Sequence, residues 1–127
     1  MFGTVLQVAI GGAIGASARY LAGVAILRSF GSHEFPLGVI AVNILGSFIM
    51  GALVVFLGQK GLTHWNALLA TGVLGGFTTF SSFSLESWRL FDTGRYDLAA
   101  LYILLSVAVS LIALIAGVHL MRTALAA

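Results

Sequence analysis

The 127 residues are 60% hydrophobic and only 8% charged, with a net charge of +2 and no cysteine. A soluble domain is about one quarter charged, so this chain cannot cover a water-facing surface, and disulfides and thiolate metal sites are excluded. Its six basic residues stand singly rather than in a nucleic-acid-binding stripe, which leaves lipid as the solvent that suits it.

A membrane span needs about 20 mostly apolar residues. Four segments meet that length, and they predict an all-α integral membrane protein with a single domain over residues 1–127. The first span covers residues 5–27. It lacks a basic n-region and has an Arg in its middle, so it reads as a retained helix and not as a cleaved signal peptide. Gly11, Gly15, Arg19 and Gly23 share one face at intervals of four. The pair Gly11 and Gly15 suits close helix approach. Arg19 must then face protein or water, because a charge in hydrocarbon is costly. Its candidate partner is Glu86, the only acid within the first three spans. In either setting its charge raises the local concentration of anions.

A polar break from Arg28 to Pro36 leads to the second span, residues 37–57. There Asn43 and Ser47 share a face with Gly46. A buried Asn amide in lipid must be paired or wet. After the turn Gly58–Gln59–Lys60–Gly61, the third span covers residues 63–90. Its middle reads Gly75, Gly76, Phe77, Thr78, Thr79, Phe80, Ser81, Ser82, Phe83, Ser84, without one Leu, Ile or Val. Two glycines weaken a helix by about 1 kcal/mol each, and Ser and Thr hydroxyls compete for its carbonyls. The pattern predicts a helix broken mid-span, which membrane depth tolerates only beside a cavity or inside protein. Freed carbonyls suit a cation, and a half-helix N-terminus suits an anion. The alternative is a small-residue packing face with hydroxyls as interhelical glue. Phe77, Phe80 and Phe83 fall along one side, and aromatic edges carry partial positive charge.

The fourth span covers residues 96–120 and carries Tyr102, Ser106 and Ser110 one turn apart on a face otherwise apolar. That ladder of hydroxyls is either a path for a desolvated anion or a set of interhelical bonds. Trp65, Trp88, Tyr96 and Tyr20 stand toward span ends, as interfacial anchors do. Basic residues are almost balanced between faces, with Lys60 and Arg122 on one and Arg28, Arg89 and Arg95 on the other. Either the chain inserts in both orientations, giving an antiparallel dimer, or a single charge such as Arg28 decides. The three histidines are far apart, and neither a nucleophile–base pair nor a phosphate loop is present. An enzyme is not indicated.

The run Gly75 to Ser84 followed by Glu86 resembles the signature of the CrcB/Fluc family of small bacterial fluoride channels. Gly11, Gly12, Gly15 and Arg19 resemble that family's first helix, Gly38 and Asn43–Ile44–Leu45–Gly46 its second, and Tyr102, Ser106 and Ser110 its fourth. The resemblance implies a passive fluoride channel of the bacterial inner membrane, conferring fluoride resistance. It implies an antiparallel, dual-topology homodimer with two pores. It implies a fluoride pathway through Asn43, Phe80, Phe83, Tyr102, Ser106 and Ser110, with Ser81 and Ser84 from the break. Arg19 and Glu86 would set the electrostatics of the vestibule. Structural Na⁺ at the dimer centre would sit on the backbone carbonyls of Gly75 and Thr78. Some members carry Thr after the glycine matching Gly38, where this chain has Val39, and Ser82 stands where Thr is common. Two other readings compete. A proton-coupled small multidrug transporter needs a carboxylate in its first helix, where this chain has Arg19. A structural subunit without transport explains the small-residue faces but not the break.

Overall fold

The computed structural model describes all 127 residues, and it contains four helices long and apolar enough to cross a membrane. They are α1 (Phe2–Phe30), α2 (Leu37–Gln59), a segmented third span (Thr63–Asp92) and α5 (Tyr96–Ala126). Each of the four runs beyond its expected apolar limits at one or both ends. At 1.5 Å per residue α2 is about 35 Å long, and α5 about 46 Å. Gly61 and Gly94 close the two tight turns with φ of 68° and 81°, a region that side chains disfavour.

The third span is the irregular one. It opens with a 3₁₀ turn (Thr63–Trp65) and a π-helix (Ala67–Leu74), followed by one α-helical turn, α3 (Gly75–Phe77). The backbone then becomes extended at Thr78 and Thr79, with φ/ψ of −86°/158° and −151°/117°, and restarts as α4 (Phe80–Asp92). The break therefore exists, but it lies at the threonines and not at the glycine pair. β-Branched residues favour extended backbone, and the Thr79 hydroxyl caps α4 by accepting the Ser82 N–H at 3.1 Å. Gly75 and Gly76 remain helical.

The glycines act in packing. A Cβ on Gly76 would lie 2.8 Å from the Gly12 carbonyl oxygen, and one on Gly15 would collide with the Val73 carbonyl. These contacts draw α1 onto the first half of the third span, as the spacing of Gly11 and Gly15 predicts. On the other side α2 packs along α5, where Gly51 and Gly117 each meet the opposite backbone. Only 14 of the 127 residues are buried within the protomer, so most of its apolar side chains point outward, toward lipid or another helical surface. One compact cluster forms where α2, α4 and α5 converge, built of Ile40, Leu90, Ala99 and Tyr102.

Candidate functional site

Asn43 holds the break open. Its Oδ1 accepts the Thr79 N–H at 2.7 Å, and its Nδ2 donates to the Thr79 carbonyl at 3.0 Å. One amide thus replaces both partners that a continuous helix would have given this residue. Two carbonyls lose their donors as a result. In an α-helix the carbonyl of residue i takes the N–H of residue i+4. The Thr79 N–H goes to Asn43 and the Ser82 N–H to the Thr79 hydroxyl, which deprives Gly75 and Thr78. Of the two carbonyls between them in sequence, that of Gly76 is taken by the Arg19 guanidinium at 3.2 Å.

Arg19 accordingly does not pair with Glu86, which instead binds Arg89 at 2.7 Å one turn along α4. The arginine charge lies beside the break, on the α1 side, and the carboxylate lies toward the end of the span.

A groove of about 280 Å³ runs along the break between α2 and α5. Its polar wall is made of Asn43 and Ser47 from α2, Thr78 and Thr79 from the break, and Ser106 and Ser110 from α5. Phe80 and Phe83 line it as well. Of the α5 stripe, Ser106 and Ser110 line the groove, and Tyr102 lies in the buried cluster beside it. The Oγ atoms of Ser106 and Ser110 and the Tyr102 phenol oxygen are shielded from solvent and bond to no other helix, and the Tyr102 and Ser106 hydroxyls are neighbours one turn apart on α5. A buried unpaired hydroxyl costs about 1–3 kcal/mol. Three on one stripe form a row of hydroxyls, and none of them bonds to another helix of this chain. Tyr102 joins this row to an aromatic chain, with ring centroids 5.4 Å from Phe83 and 5.5 Å from Phe35, the latter edge-on at 86°.

Phe80 and Phe83 are 5.5 Å apart between centroids, but Phe80 is 78% exposed and points away from the rest of the chain. Ser81 and Ser84 are also exposed and stand outside the groove. The Ser84 hydroxyl donates to the Phe80 carbonyl at 2.9 Å, and the Ser81 hydroxyl lies 3.3 Å from that of Thr79. Within one protomer neither reaches the groove. Phe77, counted with the other two rings from its spacing, falls on the far side of the break and faces Gly46.

Comparison with known proteins gives a concordant result. The family model described as "CrcB-like protein, Camphor Resistance (CrcB)" matches residues 6–118. A relative in Ruegeria sp., named fluoride-specific ion channel FluC, is 60% identical over 94% of both chains. Relatives of the same name in Cereibacter sphaeroides and Agrobacterium fabrum are 52% and 50% identical, and cover 96% and 93% of this chain and 97% and 95% of their own.

Proposed function

The chain belongs to the CrcB family, whose named relatives are ion channels and not enzymes, and from that premise we propose that it conducts fluoride passively out of the bacterial cell. The observation that carries the reading is the row of buried hydroxyls. Fluoride is small and strongly hydrated, so it enters a pore only where substitute donors replace its water. Tyr102, Ser106 and Ser110 offer hydroxyls at helical intervals, Asn43 and Thr79 fix the opposite wall, and Phe83 presents a ring at the same groove. Donors of moderate strength bind the ion well enough to admit it and weakly enough to release it. HF crosses the membrane uncharged and dissociates inside, and the membrane potential then drives the anion outward, so no coupling site is required.

The outward strip of Phe80, Ser81 and Ser84 fits an antiparallel partner of the same sequence, against which these side chains would complete a second wall. Nearly equal basic charge on the two faces supports insertion in both orientations. Two such protomers would frame two pores. The Gly75 and Thr78 carbonyls, deprived of their helical donors, are hard oxygen ligands suited to Na⁺. Two copies would supply four such oxygens, and the ion would add positive charge at the dimer centre. The guanidinium of Arg19 on the intervening Gly76 carbonyl is the one unfavourable charge nearby.

Fluoride and chloride efflux from liposomes holding the purified protein is the deciding measurement. Rapid fluoride efflux with negligible chloride efflux is expected, and no fluoride efflux from folded protein would overturn the reading.

Two further results are expected. Ser106→Ala removes a hydroxyl that bonds to no other helix, so thermal stability should hold or rise by about 1 kcal/mol. Fluoride flux should fall roughly threefold to tenfold, the equivalent of one hydrogen bond. A glue role predicts the opposite pair, lower stability and unchanged flux. Prolonged replacement of Na⁺ by N-methylglucamine should weaken the dimer or slow flux, and full retention of both would remove Na⁺ from the carbonyls of Gly75 and Thr78.

A further inference from the structure

Three cavities adjoin in sequence. The groove along the break shares Thr79 with a second cavity of about 310 Å³, on the α1 side, that holds Arg19 and Ser82. The second shares Gly23, Leu27, Gly38 and Val39 with a third of about 270 Å³, formed beneath the α1–α2 loop. The third holds Ser32 and His33 from that loop and Glu86 from α4. Polar side chains thus mark a route from the loop to the break, and Val39 is among the residues that line both outer chambers.

We propose that the third cavity is the mouth of the conduction path and that His33 is its entry residue, drawing in small anions when its ring is protonated. His33 is exposed at the membrane face, and its Nε2 lies 2.6 Å from the Phe30 carbonyl at the C-terminal end of α1. An Nε2–H donated to that carbonyl holds the ring in place and leaves Nδ1 to take up the proton. A cation also sits well at the negative end of a helix. Apart from Arg28, the other charges around it come in pairs. On α4 Glu86 binds Arg89, and Glu34 of the loop binds Arg95, which also lies 3.5 Å from Asp97 of α5. Arg28 stands in the last turn of α1, and α2 brings no charged group to the mouth. His33 is the single imidazole among them, and imidazole is the group that ordinarily changes charge between pH 5 and 8.

The inference rests on the fluoride-channel reading, and current recording separates the two. Neutral HF carries no current, so single-channel fluoride current in planar bilayers at low ionic strength reads the channel alone. From about pH 8 to about pH 5.5 the wild-type current should rise roughly twofold to threefold, as expected of one added charge at a pore mouth. The rise should shrink with added impermeant salt. In His33→Gln the ratio of the two currents should fall to about one, and in His33→Arg it should also be flat, since that charge does not titrate. A wild-type current that does not vary with pH overturns the proposal while the channel reading stands. So does a rise kept in His33→Gln, including one that Glu86→Gln then abolishes. No fluoride current at any pH would remove both readings together.

Discussion

Asn43→Asp is expected to cut fluoride flux at least about a hundredfold while the protein still folds and elutes as the wild type does. The aspartate can accept the Thr79 N–H as Asn43 Oδ1 does at 2.7 Å, but it cannot donate to the Thr79 carbonyl as Nδ2 does at 3.0 Å. Two oxygens would then face each other in a half-buried site. Loss of a partner for a buried polar group costs about 1–3 kcal/mol, more where charge is involved. The new negative charge also lines the groove proposed above as the anion path. Both effects act on the barrier, and about 2.7 kcal/mol is a factor of one hundred. Asn43→Ala tests the same clamp without the charge, and its flux should lie between wild type and Asn43→Asp. Unchanged flux in Asn43→Asp would place this residue outside the path.

Gly15→Ala is expected to have the largest effect on stability, about 2–3 kcal/mol or more, seen as a lower thermal midpoint and a lower yield of folded protein. The added methyl group would overlap the Val73 carbonyl and press on the Phe77 N–H, both backbone atoms that cannot rotate aside. Relief requires α1 to withdraw from the third span, and with it the Arg19 bond to the Gly76 carbonyl. Gly12→Ala is the matched control. Nothing lies within 4 Å of a Cβ there, and alanine favours helix over glycine by about 1 kcal/mol. Equal tolerance of both substitutions would show that the close contact of α1 with the third span does not hold the fold together.

The four spans were legible because a bilayer imposes one length and one polarity on every helix that crosses it. The face shared by Tyr102, Ser106 and Ser110 was legible for a similar reason, since a regular helix turns spacing directly into direction. Legibility ended where the helix ceased to be regular. Composition located a break within residues 75–84 without choosing between its glycines and its hydroxyl residues, whereas in the fold the glycines serve backbone contact and the threonines extend. The π-helix at Ala67–Leu74 has no residue signature that separates it from an ordinary apolar helix. Once the turn at Thr78 and Thr79 resets the helix phase, counting by threes no longer holds, and Phe77 parts from Phe80 and Phe83. Long side chains were the other limit. Arg19 reaches a backbone carbonyl and Glu86 its own helix neighbour, choices that local geometry makes and spacing does not show.

The unequal helix lengths carry a consequence for the surrounding lipid. The hydrocarbon layer is about 30 Å thick, which the 35 Å of α2 nearly matches and the 46 Å of α5 overshoots. Tilting by up to about 40° absorbs part of the excess, and the rest of α5 must project into the headgroups. Shorter acyl chains call for more tilt and longer chains for less. Because Tyr102, Ser106 and Ser110 ride on α5 while Asn43 rides on α2, any such tilt slides the hydroxyl row relative to the amide across the groove. Lipid chain length thereby becomes a variable that tunes conductance without touching the protein.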